Sequence, residues 1–163
     1  MNDSSKTASR AKVIIERVYR ARPDELWALW TTKDGFESWW GPEGFRAEVH
    51  TLEARVDGLL HYDMIADAPE TVAAMTKMGQ PLSHPVRARF SELRAPTRLA
   101  ILNVIDFLPG VEAYEASIGV DLLPQGDSVR MVVTLDAMHD EAFSRMQEQG
   151  FTSQLTKLDR RFR

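Results

Sequence analysis

Residues 86–135 read VRARFSELRAPTRLAILNVIDFLPGVEAYEASIGVDLLPQGDSVRMVVTL, with apolar and polar residues alternating between evenly spaced turn signals. A period of two puts alternate side chains on one face of a strand. Turns at Ala95-Pro96, Pro109-Gly110 and Gly126-Asp127 divide the stretch into four such strands. Pairing Phe90 with Ile101 keeps Val86, Ala88 and Phe90 on the face that carries Leu99, Ile101, Asn103 and Ile105. Beyond the second turn, Tyr114, Ala116, Ile118 and Val120 fall opposite Ile105, Asn103, Ile101 and Leu99. Beyond the third, Val129, Met131, Val133 and Leu135 fall opposite Leu122, Val120, Ile118 and Ala116. One face stays apolar throughout, which predicts a continuous antiparallel meander.

Upstream, Phe45, Ala47, Val49 and Thr51 alternate with Arg46, Glu48 and His50, and the Asp57-Gly58 turn leads to Leu60, Tyr62 and Met64. The shared sidedness sets Val49 and Thr51 beside Tyr62 and Met64. Val13 to Tyr19 is β-branched and aromatic and reads as a first strand. Pro23 suits the first turn of a helix, followed by Asp24 and Glu25 near its positive end and by the apolar stripe of Leu26, Trp27, Leu29 and Trp30. A second short helix is expected over Lys33 to Trp39, ended by Gly41-Pro42. Asp67 to Pro85 is too long for a hairpin connection, and Val72, Met75 and Met78 predict a short helix that caps one end of a pocket.

Downstream, His139 to Arg163 carries Phe143, Met146, Phe151, Leu155, Leu158 and Phe162 at helical spacing. Gly150 inside that pattern marks a kink or a close helix-to-sheet approach. An open sheet with one apolar face needs a cover, and this terminal helix is the element long enough to supply it. The expected class is α+β: a curved antiparallel sheet of about seven strands wrapped around a long C-terminal helix, with two short helices after the first strand.

The chain of 163 residues is 44% hydrophobic and 27% charged, with a formal net charge of −4, the composition of an ordinary soluble domain. One domain is expected over residues 11–163, preceded by a disordered polar tail at 1–10. Mild acidity favours neither nucleic acid nor membrane insertion. The absence of cysteine excludes disulfides, thiolate chemistry and cysteine-based metal centres. No apolar stretch approaches the length of a spanning helix, so the default address is cytoplasmic.

Several of these segments together resemble a known family. They are Arg17 to Ala21 with Pro23, the Leu26-Trp27 pair, and the run Trp39-Trp40-Gly41-Pro42-Glu43-Gly44-Phe45. To these are added Val56-Asp57-Gly58 with Tyr62 and Met64, and Gly150-Phe151 with Leu155 and Leu158. Over residues 11–162 the chain is similar to the START-like (SRPBCC) superfamily, and within it to the branch named after the activator of heat-shock-protein-90 ATPase. It departs from the branch at Asp57, often Gly there, and at Phe151, often Trp there; neither departure changes a backbone or burial requirement. The resemblance implies a helix-grip fold with a cavity between sheet and terminal helix, used across the superfamily for lipids, polyketides and other apolar molecules. Function does not follow from fold alone.

His50, His61 and Asp63 share a face with Arg46 and Glu48, which marks that face as solvated and unsuited to a metal. Asp140, beside His139, suits the cap of the terminal helix. No nucleophile elbow, phosphate loop or His-Glu-x-x-His pair is present, and no motif implies a cofactor. The apolar face holds Asn103, Tyr62, Tyr114 and Thr51 as its polar groups, which either satisfy one another or orient a ligand. The expected lining is Trp40, Tyr62, Met64, Phe90, Asn103, Tyr114, Met131, Phe143, Met146 and Phe151, around a small hydrophobic molecule. A cyclase- or hydrolase-type enzyme polarising a carbonyl in that pocket, and a chaperone-associated interaction protein, stay open as alternatives. Leu102, Val104 and Val132 interrupt the polar outer face, a pattern compatible with a homodimer contact.

Overall fold

The computed structural model describes residues 12–106 and 108–162. The tail expected at residues 1–10 lies outside the described residues. Strand β1 (Val13–Tyr19) is followed by helices α1 (Pro23–Thr31) and α2 (Lys33–Glu37). Strands β2 (Phe45–Leu52) and β3 (Leu59–Ala66) precede helix α3 (Pro69–Lys77). The chain then runs through β4 (Ser83–Arg94), β5 (Arg98–Ile105), β6 (Tyr114–Gln125) and β7 (Ser128–Leu135) into helix α4 (Glu141–Arg161). The strands form one seven-stranded antiparallel sheet in the order β1-β7-β6-β5-β4-β3-β2, so β2 to β7 make the expected meander and β1 closes beside β7.

Most registers follow the hydrophobic pattern. Phe90 pairs with Ile101, and Ile105, Asn103, Ile101 and Leu99 face Tyr114, Ala116, Ile118 and Val120. Two details differ from the expectation. Across β6 and β7, Met131 faces Leu122 and Leu135 faces Ile118, two residues from the predicted partners. Gln125 pairs directly with Ser128, so the turn holds only Gly126 and Asp127 and the hairpin takes in Pro124. A shift of two preserves the facing of every side chain, and the apolar pattern therefore does not resolve it. In β2, a bulge after Val49 pairs Thr51 with His61 and Leu52 with Leu60, which removes Thr51 from the inward row.

The apolar face of the sheet is packed at one end by α1, α2 and the second half of α4. Trp30, Phe36, Trp39 and Trp40 are all buried, with Phe36 stacked on Trp40 at 4.5 Å and Trp30 edge-on to Trp39 at 4.9 Å. Trp39 Nε1 donates to the Leu29 carbonyl at 2.9 Å, which satisfies its one polar atom inside the core. Helix α4 starts at Asp140, whose carboxylate accepts from Phe143 N–H at 2.7 Å as a cap. Its buried residues are Phe151, Gln154, Leu155 and Leu158, all in the second half. The close approach expected at Gly150 is not found: a Cβ there would meet nothing within 4 Å.

The loop between α2 and β2 is fastened to that second half. Gly41 N–H donates to Gln154 Oε1 at 2.9 Å and Glu43 N–H to Ser153 Oγ at 3.0 Å. Arg160 donates to the Glu43 carboxylate at 2.7 Å, as does the Thr156 hydroxyl, and Lys157 Nζ donates to the Phe45 carbonyl at 2.9 Å. The Arg160 and Thr156 hydrogen bonds hold the Glu43 carboxyl below the usual carboxylate range.

Candidate functional site

At the other end the helix covers the sheet without filling the space beneath it. Adjacent strands β3 to β6 place Leu60, Ala88, Asn103 and Ala116 in one inward row. The two alanines flank Asn103 and leave its side chain room that larger residues would occupy. From α4, Phe143 and Met146 reach down over this region, and the result is a cavity of about 340 Å³. That volume lies at the lower end of the range of small-molecule pockets.

The wall is mainly apolar: Tyr62, Val86, Ile105, Met138, Phe143 and Met146. The mouth carries His84, Pro85, Arg87, Asp106 and Gln147, and Arg87 is ion-paired with Asp106. Two polar groups in the wall have unused hydrogen-bonding capacity among the described residues. Tyr62 Oη accepts from Trp40 Nε1 at 2.9 Å, but its own proton has no acceptor. Burial pushes the Tyr62 phenol well above its ordinary range, so it stays neutral. Asn103, half-buried, has neither donor nor acceptor partner for its amide.

Of the residues expected to line a pocket, Tyr62, Asn103, Phe143 and Met146 are brought together here. Phe90 and Met131 are fully buried in the main core, where Trp40 and Phe151 also sit with their rings 5.9 Å apart. Met64 packs at the edge of that core, with Sδ beside Gly41. Tyr114 stands at the cavity end in a small cluster with Ile105, Ala116 and Met138. Its hydroxyl meets His139 Nδ1 at 2.9 Å and accepts from His139 N–H at 3.2 Å, which ties the start of α4 to β6. Helix α3 contributes nothing to the wall; the segment after it does, through His84 and Pro85.

Of the mouth residues that the sequence pattern missed, His84, Pro85 and Asp106 lie at strand ends, where alternation carries no signal, while Arg87 within β4 and Gln147 within α4 read as solvated polar positions. The readable sign was the pair of small inward residues, Ala88 and Ala116, on either side of Asn103. A second concavity, on the solvent side of α4, is formed by the polar and charged residues Arg145, Glu148, Gln149 and Thr152. His50 and Asp63 pair at 2.9 Å on the outer face, and among the described residues no His, Asp and Glu side chains are grouped to hold a metal ion. No helix is long and apolar enough to cross a membrane among the described residues.

The family model described as activator of Hsp90 ATPase homolog 1-like protein matches residues 20–163. The chain belongs to this family. Solved structures share its architecture. A protein from Chromobacterium violaceum superposes with a TM-score of 0.72 at 18% identity, over 91% of this chain and 94% of the other. The AHSA1 protein of Silicibacter pomeroyi gives 0.71 at 21% identity, over 91% and 94%. A protein from Arthrobacter aurescens gives 0.72 at 21% identity, over 91% and 83%. At these identities the likeness establishes the helix-grip fold of this Hsp90-activator-like chain and no more. No curated protein matches it.

Proposed function

We propose that this protein holds a small, mainly apolar molecule in the cavity between β3 to β6 and the first half of α4. The observation that carries this reading is an apolar cavity roofed by Phe143 and Met146 from a helix segment that buries none of its own residues. Burying a ligand's apolar surface there would stabilise the fold at about 25 cal/mol for each Å² removed from water. Holding is favoured over turnover, because no Ser, Thr, Cys or Lys lines the cavity among the described residues and its histidine, His84, is exposed at the mouth. The test is thermal unfolding of the purified protein with a panel of lipids, polyketides and bicyclic aromatics. A rise in Tm that grows with ligand concentration and disappears in Val86→Trp, which puts a large side chain into the cavity wall, supports the proposal. A flat response to the whole panel overturns it.

A further inference from the structure

The cavity wall contains two polar groups with spare hydrogen-bonding capacity, Tyr62 and Asn103, set inward of His84 and Gln147 at its mouth. The buried side-chain atoms without a partner among the described residues, Trp30 Nε1 and Gln154 Nε2, lie outside the cavity; the Asn103 amide is half-buried and open to the cavity space, where a ligand group can reach it. Tyr62 is 4% exposed, its oxygen already accepts from Trp40, and only its proton is spare. The Asn103 amide has both its donors and its acceptor free, between two alanines that hold the space beside it open. The spare groups in the wall are thus mainly donors.

The mouth adds a second constraint. Its one guanidinium, Arg87, is already ion-paired with Asp106, so an anionic ligand would have to compete with a resident carboxylate. A cationic ligand would meet one carboxylate, Asp106, already paired with Arg87 at the mouth, and beyond it neutral oxygens between apolar walls, where an ion is poorly compensated for its lost hydration.

We infer that Asn103, with the Tyr62 proton, reads a carbonyl oxygen on the ligand, and that the ligand is a neutral aryl or alicyclic ketone or lactone. This rests on the cavity being a binding site as proposed above. Met146 and Phe143 then cover its apolar body, and their loose packing tolerates variation in shape. Selectivity lies with Asn103, because a site built to hydrogen-bond an oxygen discriminates against its apolar isostere more strongly than an apolar wall discriminates by size.

Two shape-matched probes test this: 2-acetylnaphthalene and 2-isopropenylnaphthalene, which replaces the carbonyl oxygen by a methylene. Equilibrium dialysis against the wild-type protein and Asn103→Leu gives four affinities. The expected result is that Asn103→Leu weakens the ketone roughly ten-fold while the alkene keeps or improves its affinity, as for one lost hydrogen bond. Asn103→Ala replaces the leucine variant if circular dichroism shows that leucine disturbs the fold. A third probe, 2-naphthoate, should bind more weakly than the ketone; tighter binding would refute a neutral ligand. Equal changes for ketone and alkene, or none, overturn the role of Asn103 and leave the cavity proposal standing. If none of the three probes binds up to its solubility, cavity and carbonyl reader fall together.

Discussion

The same sheet and the same helix produce a sealed end and an open end. Under the second half of α4, Phe151, Leu155 and Leu158 meet the aromatic layer of Trp30 on α1 and of Trp39 and Trp40 in the turn after α2. Under the first half no such layer intervenes, and the inward row is Ala88, Asn103 and Ala116. Interiors pack at near-crystalline density wherever side chains can reach. The sealed end supplies the volume and the open end does not. Helix α4 is also fastened at one end by Glu43, Gln154 and Lys157, and at the other by the Asp140 cap and the His139 to Tyr114 contact. Stability is therefore concentrated where the aromatic residues are, and the space for a ligand lies where they are absent.

Emptying one residue at each end tests this division most severely. Phe36 is fully buried between Trp40 and Tyr62, and Phe36→Ala should cost about 3 to 5 kcal/mol of unfolding free energy. Phe143 is only partly buried at the cavity roof, and Phe143→Ala should cost less than about 1.5 kcal/mol while abolishing or weakening probe binding. Urea denaturation of both variants gives the two numbers. Similar losses would mean that the open end is as integral to the core as the sealed one.

Much of this contrast was legible in the sequence, and its limits have identifiable causes. Period-two alternation fixed which face each strand presents, because a slip of one residue would expose the whole apolar row. It could not separate registers two apart, as at Met131 and Leu122, nor anticipate the bulge that turned Thr51 outward. For the site, facing alone does not distinguish a lining residue from a core residue. Phe90 and Asn103 share an inward face, yet one is sealed in the main core and the other borders a cavity. What separates them is the depth of the layer above the sheet. That layer comes from α1, α2 and the turn after α2, distant in sequence from either strand.

Tyr62 belongs to both ends, stacked edge-on against Phe36 at 5.3 Å and also part of the cavity wall. Its phenol is held neutral by burial, with a folded pKa above the unfolded value of about 10. A raised folded pKa means that its contribution to stability is whole below pH ~10 and is lost as the pH climbs beyond it. Wild-type stability should thus fall above that pH more steeply than that of Tyr62→Phe, by up to about 1.4 kcal/mol per pH unit. Urea midpoints between pH 9 and 11 measure both slopes. Equal slopes would show that water in the cavity reaches the hydroxyl, and would move Tyr62 from the sealed end to the open one.

The smallest expected effect lies at the junction of the two ends. Gly150 is the last residue before Phe151, where α4 passes from roofing the cavity to packing in the core. Glycine in a helix interior is less favourable than alanine by about 1 kcal/mol, because more backbone freedom is lost on folding. Elsewhere in this chain a glycine is needed for space: a Cβ on Gly58 would lie 2.0 Å from the Glu53 carbonyl oxygen. At Gly150 it would meet nothing within 4 Å, so no contact opposes the substitution. Gly150→Ala should therefore stabilise the protein by up to about 1 kcal/mol, read as a higher urea midpoint at unchanged m-value. The gain comes from stiffening the helix at the boundary of the roof, so probe exchange should slow in the same variant if the first half of α4 must lift for the ligand to enter. A loss of stability instead would place the helix closer to the sheet at residue 150 than described, and would shrink the open end.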